Sequence, residues 1–281
     1  MRARGAGCLQ TVFKCSEPII GMIHLPPLPG SVLYDGEGLG AATTSALRDA
    51  QVLLDAGVSG IEVENYGDMS YFPDTAPPES VAALTLVAGE IRKQFPAAVM
   101  GICLLSDPIG SLAIAHAVQA QFIRATFFTE AAVDVSGLVL RRPHEILRYR
   151  KFLDPSIKLF ADVHIKHSAP LAQRPIEESA YDAAYFLADA VIVSGKHTGS
   201  ATSLEELRLV RSALPEFPLF VGSGLTEDTV DELLDIADGG IVGTSLKLGG
   251  KTTNEVDPER VRMLLERVNR RRECVTGAPT S

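Results

Sequence analysis

The sequence PLFVGSGLTEDTVDELLDIADGGIVGTSLK, residues 218–247, contains two short apolar segments that are each followed by a glycine-rich loop. The first segment ends in Gly222-Ser223-Gly224 and the second in Gly243-Thr244-Ser245, with a helical pattern between them. This order predicts two consecutive strand–helix units, with both loops at the carboxyl ends of parallel strands.

These two loops predict an anion site. Glycine leaves backbone N–H groups unobstructed, and the hydroxyl groups of the loops and of Thr226 add further donors. Together these donors suit a phosphate dianion. The alternative is that the glycines only permit tight turns. Two such loops in tandem, one helix apart, favour the anion site.

The alternation of apolar strand and amphipathic helix extends over the rest of the chain and predicts eight strands. Most are near-continuous apolar runs, as expected for strands that are buried on both faces of a parallel sheet. Eight strand–helix units in 281 residues predict an α/β fold, a single-domain (β/α)8 TIM barrel. A doubly wound open sheet is the alternative. The predicted strands are residues 19–25, 60–65, 99–105, 122–127, 158–164, 190–194, 219–222 and 240–243.

The two termini fall outside this repeat. Residues 1–16 are mildly basic and lack an apolar core of secretory length, so they are predicted to form a flexible tail. The barrel is assigned to residues 17–270, and residues 271–281 are predicted to form a second flexible tail. The connection after residues 122–127 is longer than the others and is expected to cover the barrel mouth or an oligomer face.

Composition restricts the class of protein and its partners. Apolar residues make up 46% and charged residues 22%, which is typical of a globular domain. The net charge of −9 argues against nonspecific binding to nucleic acid, so an anionic ligand needs a local site. No apolar run is long enough to predict a transmembrane segment. The four cysteines lie far apart, which predicts reduced thiols in a cytoplasmic protein, and the barrel class favours a homo-oligomer.

Polar residues at the carboxyl ends of the predicted strands are the candidate site residues, because only these reach the mouth of a barrel. In the strand at 158–164, Asp162, His164 and Lys166 alternate with apolar residues and are predicted to share one face. Such a cluster on a buried strand is costly unless it is functional. The other candidates at strand ends are Glu62, Glu64 and Asn65, His24, Arg124 and Thr126, and Ser194, followed by Lys196 and His197.

Each candidate also has a purely structural interpretation. His24 could be a hydrogen-bonded core histidine, and Glu62 and Arg124 could neutralise each other inside the barrel. Asp162 and Lys166 could likewise form only an ion pair. Lys196 and His197 could be either solvated or directed at a phosphate.

Carboxylate and imidazole groups that face a phosphate ester suit general acid–base chemistry: isomerisation, epimerisation, aldol cleavage or release of a leaving group. Lys166 could form a Schiff base if its pKa were lowered. No cofactor is predicted, although His24, Asp162 and His164 could hold a divalent metal. No HxH, HExxH or G-x-G-x-x-G motif supports a zinc protease or a Rossmann dehydrogenase.

Seven segments resemble the BtpA/SgcQ family over roughly residues 17–265. They are PIIGMIHLPPLPGS (18–31), GIEVENYGD (60–68), LFADVHIKHSAPL (159–171), VIVSG (191–195), VGSGLT (221–226), DGGIVGTSLK (238–247) and TTNEVDPERV (252–261). The resemblance implies a TIM barrel of the ribulose-phosphate-binding type. One family name comes from a cyanobacterial member linked to photosystem I biogenesis and peripheral to a membrane. Another comes from a bacterial operon whose neighbouring genes resemble genes for sugar-phosphate metabolism.

Two segments depart from the family pattern. Residues 102–107 read ICLLSD where members often have VNVLRND, and residues 122–127 read FIRATF where members often have FIRVNV. Thr126 therefore stands in place of an asparagine. Both departures fall where the non-phosphate half of a ligand would be recognised.

Two functions therefore remain open from the sequence. The first is an enzyme acting on a small phosphorylated metabolite, a sugar phosphate or a nucleotide-derived compound, as an isomerase, lyase or hydrolase. The second, implied by the resemblance alone, is a non-enzymatic assembly factor that binds a protein partner, with peripheral association at a membrane.

Overall fold

The computed structural model describes residues 9–140, 142–195 and 201–276. The predicted mouth residues Lys196 and His197 lie outside these ranges. Among the described residues, no helix combines the length and apolar character that a membrane crossing requires.

Eight parallel strands form a closed barrel, which confirms the predicted (β/α)8 fold and excludes an open sheet. The strands follow one another around the barrel in chain order, and the last pairs with the first. They are β1 (Ile19–His24), β2 (Gly60–Glu64), β3 (Met100–Cys103), β4 (Phe122–Ala125), β7 (Lys158–Val163), β9 (Ala190–Val193), β10 (Leu219–Val221) and β11 (Gly239–Val242).

A helix follows each barrel strand and packs its apolar face on the outside of the barrel. Two of these helices begin at a capping side chain: Asp107 accepts a hydrogen bond from the N–H of Gly110, and Ser203 accepts one from the N–H of Glu206. The helices are α1 (Gly40–Ala56), α2 (Pro78–Gln94), α3 (Pro108–Ala117), α4 (Pro143–Leu153), α5 (Ile176–Tyr185), α6 (Leu204–Ala213), α7 (Val230–Leu234) and α8 (Pro258–Thr276).

The long connection after β4 forms a small antiparallel sheet at the mouth. Strand β5 (Ala132–Asp134) pairs with β6 (Gly137–Val139) on one side and with β8 (Ala169–Pro170) on the other. Because β8 follows the carboxyl end of β7 by only a few residues, this sheet lies beside the ends of β4 and β7. It therefore borders the region where the sequence places the candidate site.

The other end of the barrel is closed by an aromatic floor. Phe122, Phe160 and Phe220 point into the barrel from β4, β7 and β10, and Phe122 and Phe160 stack with ring centroids 4.8 Å apart. Phe13 covers them, with its ring centroid 5.9 Å from that of Phe122 and 6.3 Å from the other two. The predicted flexible tail at residues 1–16 is thus wrong for this part, because residues 9–12 form a helical turn and Phe13 is only 7% exposed.

Replacing Phe13 with alanine is expected to lower the free energy of unfolding by about 3 kcal/mol, since it removes a ring from an aromatic cluster and leaves a cavity. Denaturant titration would measure the change. Phe152→Ala is the matched control, because Phe152 is 81% exposed and should change stability by less than about 0.5 kcal/mol. Equal effects of the two substitutions would contradict a packed floor.

The predicted C-terminal tail at residues 271–281 is also wrong at its start. Helix α8 continues to Thr276, and Arg271 donates to Oε1 of Glu17 at 2.8 Å and to Oδ1 of Asp235 at 2.6 Å. Arg272 donates to the carbonyl oxygen of Glu17 at 2.8 Å. These bonds fasten the last helix to the segment that enters β1.

Candidate active site

A layer of charged side chains lies above the aromatic floor, as the alternation along the strands predicts. Arg124 donates a bidentate pair of hydrogen bonds to Asp162, from Nε to Oδ2 at 2.7 Å and from Nη2 to Oδ1 at 2.9 Å. Both side chains are buried. The fork-to-fork geometry is the strong form of an ion pair. It replaces the predicted Glu62–Arg124 and Asp162–Lys166 pairings as the main contact of these residues.

Glu62 and Glu64 project into the same layer from β2. Nη1 of Arg124 lies 3.7 Å from Oε1 of Glu62 and 3.9 Å from Oε2 of Glu64, which is beyond hydrogen-bond distance. Both oxygens of Glu62 are buried and have no hydrogen-bond partner among the described residues. Arg124 thus faces Glu62 without a hydrogen bond to it.

Burial raises the pKa of Glu62 to about 8, with Arg124 opposing this and Glu64 and Asp162 adding to it. Burial by itself would lower the pKa of Arg124, but the carboxylate of Asp162 outweighs it, so the pKa of Arg124 is raised. At neutral pH the layer therefore holds a fixed cation next to a carboxyl group that keeps its proton.

His24 connects β1 to this layer. Its Nε2 lies 3.9 Å from Oε1 of Glu64, its ring packs on Tyr66 with centroids 4.9 Å apart, and its buried Nδ1 has no hydrogen-bond partner. Burial lowers the pKa of His24, and Lys247 and Lys166 lower it further. A neutral imidazole with an unpaired ring nitrogen can accept or pass on a proton.

Lys166 returns to this cluster from the turn after β7. It is half-buried, and no ion pair or hydrogen bond joins its ammonium group to another residue in the described ranges. Burial lowers the pKa of Lys166 and Arg124 lowers it further, while Glu64 and Asp162 act in the opposite direction. The predicted grouping of Asp162 with Lys166 is thus consistent with their electrostatic interaction.

His164 lies away from this cluster. Strand β7 ends at Val163, and His164 has a φ of +48°, so the chain leaves the strand alternation there. Its Nε2 is 3.2 Å from Oγ of Ser179, and Ser179 donates its proton to Oε1 of Glu130. Because Ser179 gives its proton to Glu130, Nε2 of His164 is the donor in its bond to Ser179.

The predicted substrate-binding residues hold neighbouring loops in place. Oδ1 of Asn65 accepts from the N–H of Leu105 at 2.8 Å, and Oγ1 of Thr126 accepts from the N–H of Ser106 at 3.3 Å. Ser194 donates to Oδ1 of Asp162 at 3.3 Å. Asn65 and Thr126 thus hold the loop after β3 in place, and Ser194 fixes the orientation of Asp162.

The two glycine-rich loops lie side by side at the ends of β10 and β11. The N–H groups of Ser223, Gly224, Thr244 and Ser245 are not donated to any acceptor among the described residues. The hydroxyl groups are largely engaged: Ser223 accepts from the N–H of Gly195 at 2.7 Å, and Ser245 donates to the carbonyl oxygen of Leu225 at 2.7 Å. The donors left for an anion are thus mainly backbone N–H groups.

Two glycines bring these loops against the charged layer. A Cβ at Gly222 would lie 2.2 Å from Oγ of Ser194, and a Cβ at Gly243 would lie 2.5 Å from Cε1 of His24. Ser194 in turn contacts Asp162, and His24 approaches Glu64. Because these two positions are glycines, the loops pack directly against Ser194 and His24. Only these two side chains separate the loops from the carboxylates of Asp162 and Glu64.

Among the described residues, the group with metal-ligand chemistry is Glu62, Glu64 and Cys103, whose ligand atoms lie within 4.8 Å of one another. The guanidinium group of Arg124 already faces both carboxylates. These residues could hold a metal ion only if Arg124 moved. The trio of His24, Asp162 and His164 that the sequence suggested does not come together, because His164 faces Glu130 and Ser179.

Three further residues lie at the site and were not predicted from the sequence: Cys103, Glu130 and Ser179. Cys103 pairs in register with Glu64 and follows Gly101 by two, so strand alternation could have identified it. Glu130 and Ser179 come from the β4 connection and from α5, and no sequence signal joins them to His164.

The fold defines a class of protein, the (β/α)8 barrels with a mouth built from strand ends. It is similar to (S)-3-O-geranylgeranylglyceryl phosphate synthase from Thermoplasma acidophilum, solved with its substrate sn-glycerol-1-phosphate, with a TM-score of 0.61 and 16% identity over 94% of this chain and 97% of that one. It is also similar to thiamine phosphate pyrophosphorylase from Pyrococcus furiosus, with a TM-score of 0.55 and 15% identity over 90% and 96%.

Within this class the chain belongs to the BtpA family, whose model matches residues 15–270. An uncharacterized protein of Thermococcus kodakarensis is 42% identical over 89% of this chain and 94% of its own length. The Photosystem I biogenesis protein BtpA of Synechocystis sp. is 37% identical over 90% of this chain and 88% of its own length. The family resemblance expected from the sequence is confirmed.

Proposed function

We propose that this protein is an enzyme that acts on a small phosphorylated metabolite by general acid–base chemistry. The observation that carries the proposal is the contact between the two halves of the mouth. Backbone donors at the ends of β10 and β11 lie one side chain, Ser194 or His24, away from Asp162 and Glu64. A phosphate held by the loops would place the rest of a small molecule over the charged layer.

The phosphate would be held by the loops Gly222-Ser223-Gly224 and Gly243-Thr244-Ser245, whose free N–H groups point to no described acceptor. Two neighbouring loops are similarly placed in the barrel class, where phosphate sites form after the seventh and eighth strands. The structural neighbours whose titles name phosphorylated compounds support this assignment by analogy of fold.

The chemistry would come from groups in different proton states. Glu62 holds a proton at neutral pH, whereas Asp162 accepts two hydrogen bonds from Arg124. His24 offers a ring nitrogen without a hydrogen-bond partner among the described residues, and His164 lies within hydrogen-bond distance of Ser179. Lys166 is an electrostatic or a covalent participant. This set suits proton transfer next to a carbonyl group, as in an isomerase or a lyase.

Inorganic phosphate or glycerol phosphate is expected to raise the melting temperature by about 5 °C or more at 100 times its Kd, because such a ligand adds about 2.7 kcal/mol. Ser223→Glu should abolish the shift, since its carboxylate repels the phosphate at the loop. Ser212→Glu is the matched control, because Ser212 is exposed on α6 and should leave the shift unchanged. Differential scanning fluorimetry would measure all three proteins.

No shift with any phosphate compound, or an equal shift in Ser223→Glu, would contradict the anion site. The second candidate function is then favoured, a non-enzymatic assembly factor with a protein partner, which the name of the Synechocystis relative supports. Apolar side chains on and beside the β5–β6–β8 sheet are exposed and could contact a partner or a second copy of the chain: Val133, Val135, Leu138, Leu140 and Leu171.

A further inference from the structure

Two lysines lie near the carboxyl ends of the barrel strands, Lys247 buried and Lys166 half-buried, and they differ in their partners. Lys247 is 1% exposed and donates from Nζ to Oδ2 of Asp49 at 2.7 Å. The other oxygen of Asp49 accepts from the N–H of Val256 at 3.1 Å. Lys247 is thus fixed in a structural ion pair between α1 and the end of the barrel, where its nitrogen cannot reach a ligand.

Lys166 has no such partner among the described residues. No described carboxylate lies within ion-pair distance of its ammonium group, although Glu64 and Asp162 act on it electrostatically. It lies in the turn between His164 and His167, both with positive φ, that brings the chain back over the mouth after β7. Its nitrogen is therefore left for a ligand that enters the mouth.

The surroundings of Lys166 favour a neutral amine. Burial lowers the pKa of Lys166, and the nearby guanidinium group of Arg124, which Asp162 holds in place, lowers it further. A desolvated lysine next to a second cation is a recognised arrangement for an amine nucleophile. Arg124 lowers the pKa of Lys166 while its own hydrogen bonds go to Asp162, so it leaves the amine of Lys166 accessible.

We propose that Nζ of Lys166 forms a covalent imine with the carbonyl carbon of a small phosphorylated aldehyde or ketone whose phosphate is bound by the β10 and β11 loops. This proposal rests on the proposed function, and it narrows the ligand to a phosphorylated carbonyl compound. Neighbouring strands lie about 4.8 Å apart, so β7 and β10, with β9 between them, are separated by roughly 10 Å. A molecule of a few carbon atoms spans that distance.

The step balances without a cofactor. The neutral amine attacks the carbonyl carbon, a C–N bond forms, and the carbonyl oxygen takes a proton from a neighbouring carboxyl group. The nitrogen passes a proton to a neighbouring carboxylate. The carboxyl group so formed protonates the hydroxyl group, which leaves as water while the nitrogen lone pair forms the C=N bond. The products are one iminium ion and one water molecule, and hydrolysis reverses the step.

Borohydride trapping tests the proposal. The protein is incubated with dihydroxyacetone phosphate, glyceraldehyde phosphate or a phosphorylated pentulose, reduced with sodium borohydride, digested and mapped by mass spectrometry. We expect a stable secondary amine on the peptide with Lys166 and none on the peptide with Lys247, which is the control within the same chain. Glycerol phosphate, which has no carbonyl group, should compete and reduce the labelling. Unphosphorylated dihydroxyacetone should label more weakly.

Lys166→Arg separates a covalent from an electrostatic role, because arginine keeps the positive charge and cannot form the imine. The variant should lose the adduct and keep the increase in melting temperature with glycerol phosphate. If no probe labels Lys166 while glycerol phosphate still stabilises the protein, the imine is excluded and the phosphate site stands. If neither labelling nor stabilisation occurs, both proposals fail. Equal labelling of Lys166, Lys247 and surface lysines would also overturn the imine.

Discussion

Arg124→Met is expected to lower the free energy of unfolding by about 3–5 kcal/mol, because it leaves the carboxylate of Asp162 buried without a counter-charge. Glu62 and Glu64 would lose the same guanidinium group, which lies 3.7 and 3.9 Å from them. Urea titration would measure the change in stability.

A double-mutant cycle assigns the effect to the ion pair. Asp162→Asn added to Arg124→Met should cost less than the sum of the two single substitutions, with an interaction of about 1–3 kcal/mol. Arg208→Met is the matched control, since Arg208 is exposed on α6 and should change stability by less than about 0.5 kcal/mol. Additive effects, or an Arg124→Met variant as stable as the parent, would show that the buried charges do not depend on one another.

Strand alternation accounts for the part of this site that could be predicted. Glu62, Arg124, Asp162 and Ser194 lie on barrel strands or directly at their ends, and their parity alone places them inside. Partner choice could not be predicted in the same way. Arg124 on β4 can pair with Asp162 on the neighbouring strand β7 or reach across β3 to Glu62 on β2. The choice depends on the length and direction of the side chains, which strand alternation does not predict.

The predicted extension of the strand through His164 was wrong, because alternation holds only while the backbone is extended. The predicted strand ran through residue 164, but β7 ends at Val163 and a left-handed residue follows. His164 therefore faces α5 instead of sharing a face with Asp162. A glycine at this position would have marked the turn in the sequence. Histidine is one of the residues that can also adopt a positive φ, so the turn was not visible.

The aromatic floor shows a different limit. Phe13 precedes β1 in a segment without strand or helix periodicity, and composition suggested a flexible tail. What holds it is a contact with Phe122, Phe160 and Phe220, which come from three strands distant in the chain. Local patterns predict elements, whereas a residue fixed only by tertiary packing needs the assembled barrel.

Glu62→Gln is expected to change how stability depends on pH. The folded pKa of Glu62, about 8, lies above its ordinary value of 4.5, so the folded state binds the proton more tightly than the unfolded state does. This contribution is complete below pH 4.5 and is lost as pH rises towards 8. The loss is about 1.4 kcal/mol per pH unit, or roughly 5 kcal/mol across the window.

Glutamine carries no titrating proton, so the Glu62→Gln variant should gain stability relative to the parent as pH rises from 5 to 8, with a constant difference above that range. Denaturant titrations at several pH values would measure this difference. Glu90→Gln, on the exposed face of α2, is the control that isolates the contribution of Glu62 to the pH dependence. A difference that does not change with pH would mean that Glu62 ionises normally. Such a carboxylate could not be the proton donor of the mouth, and the acid step would then have to come from His24 or His164.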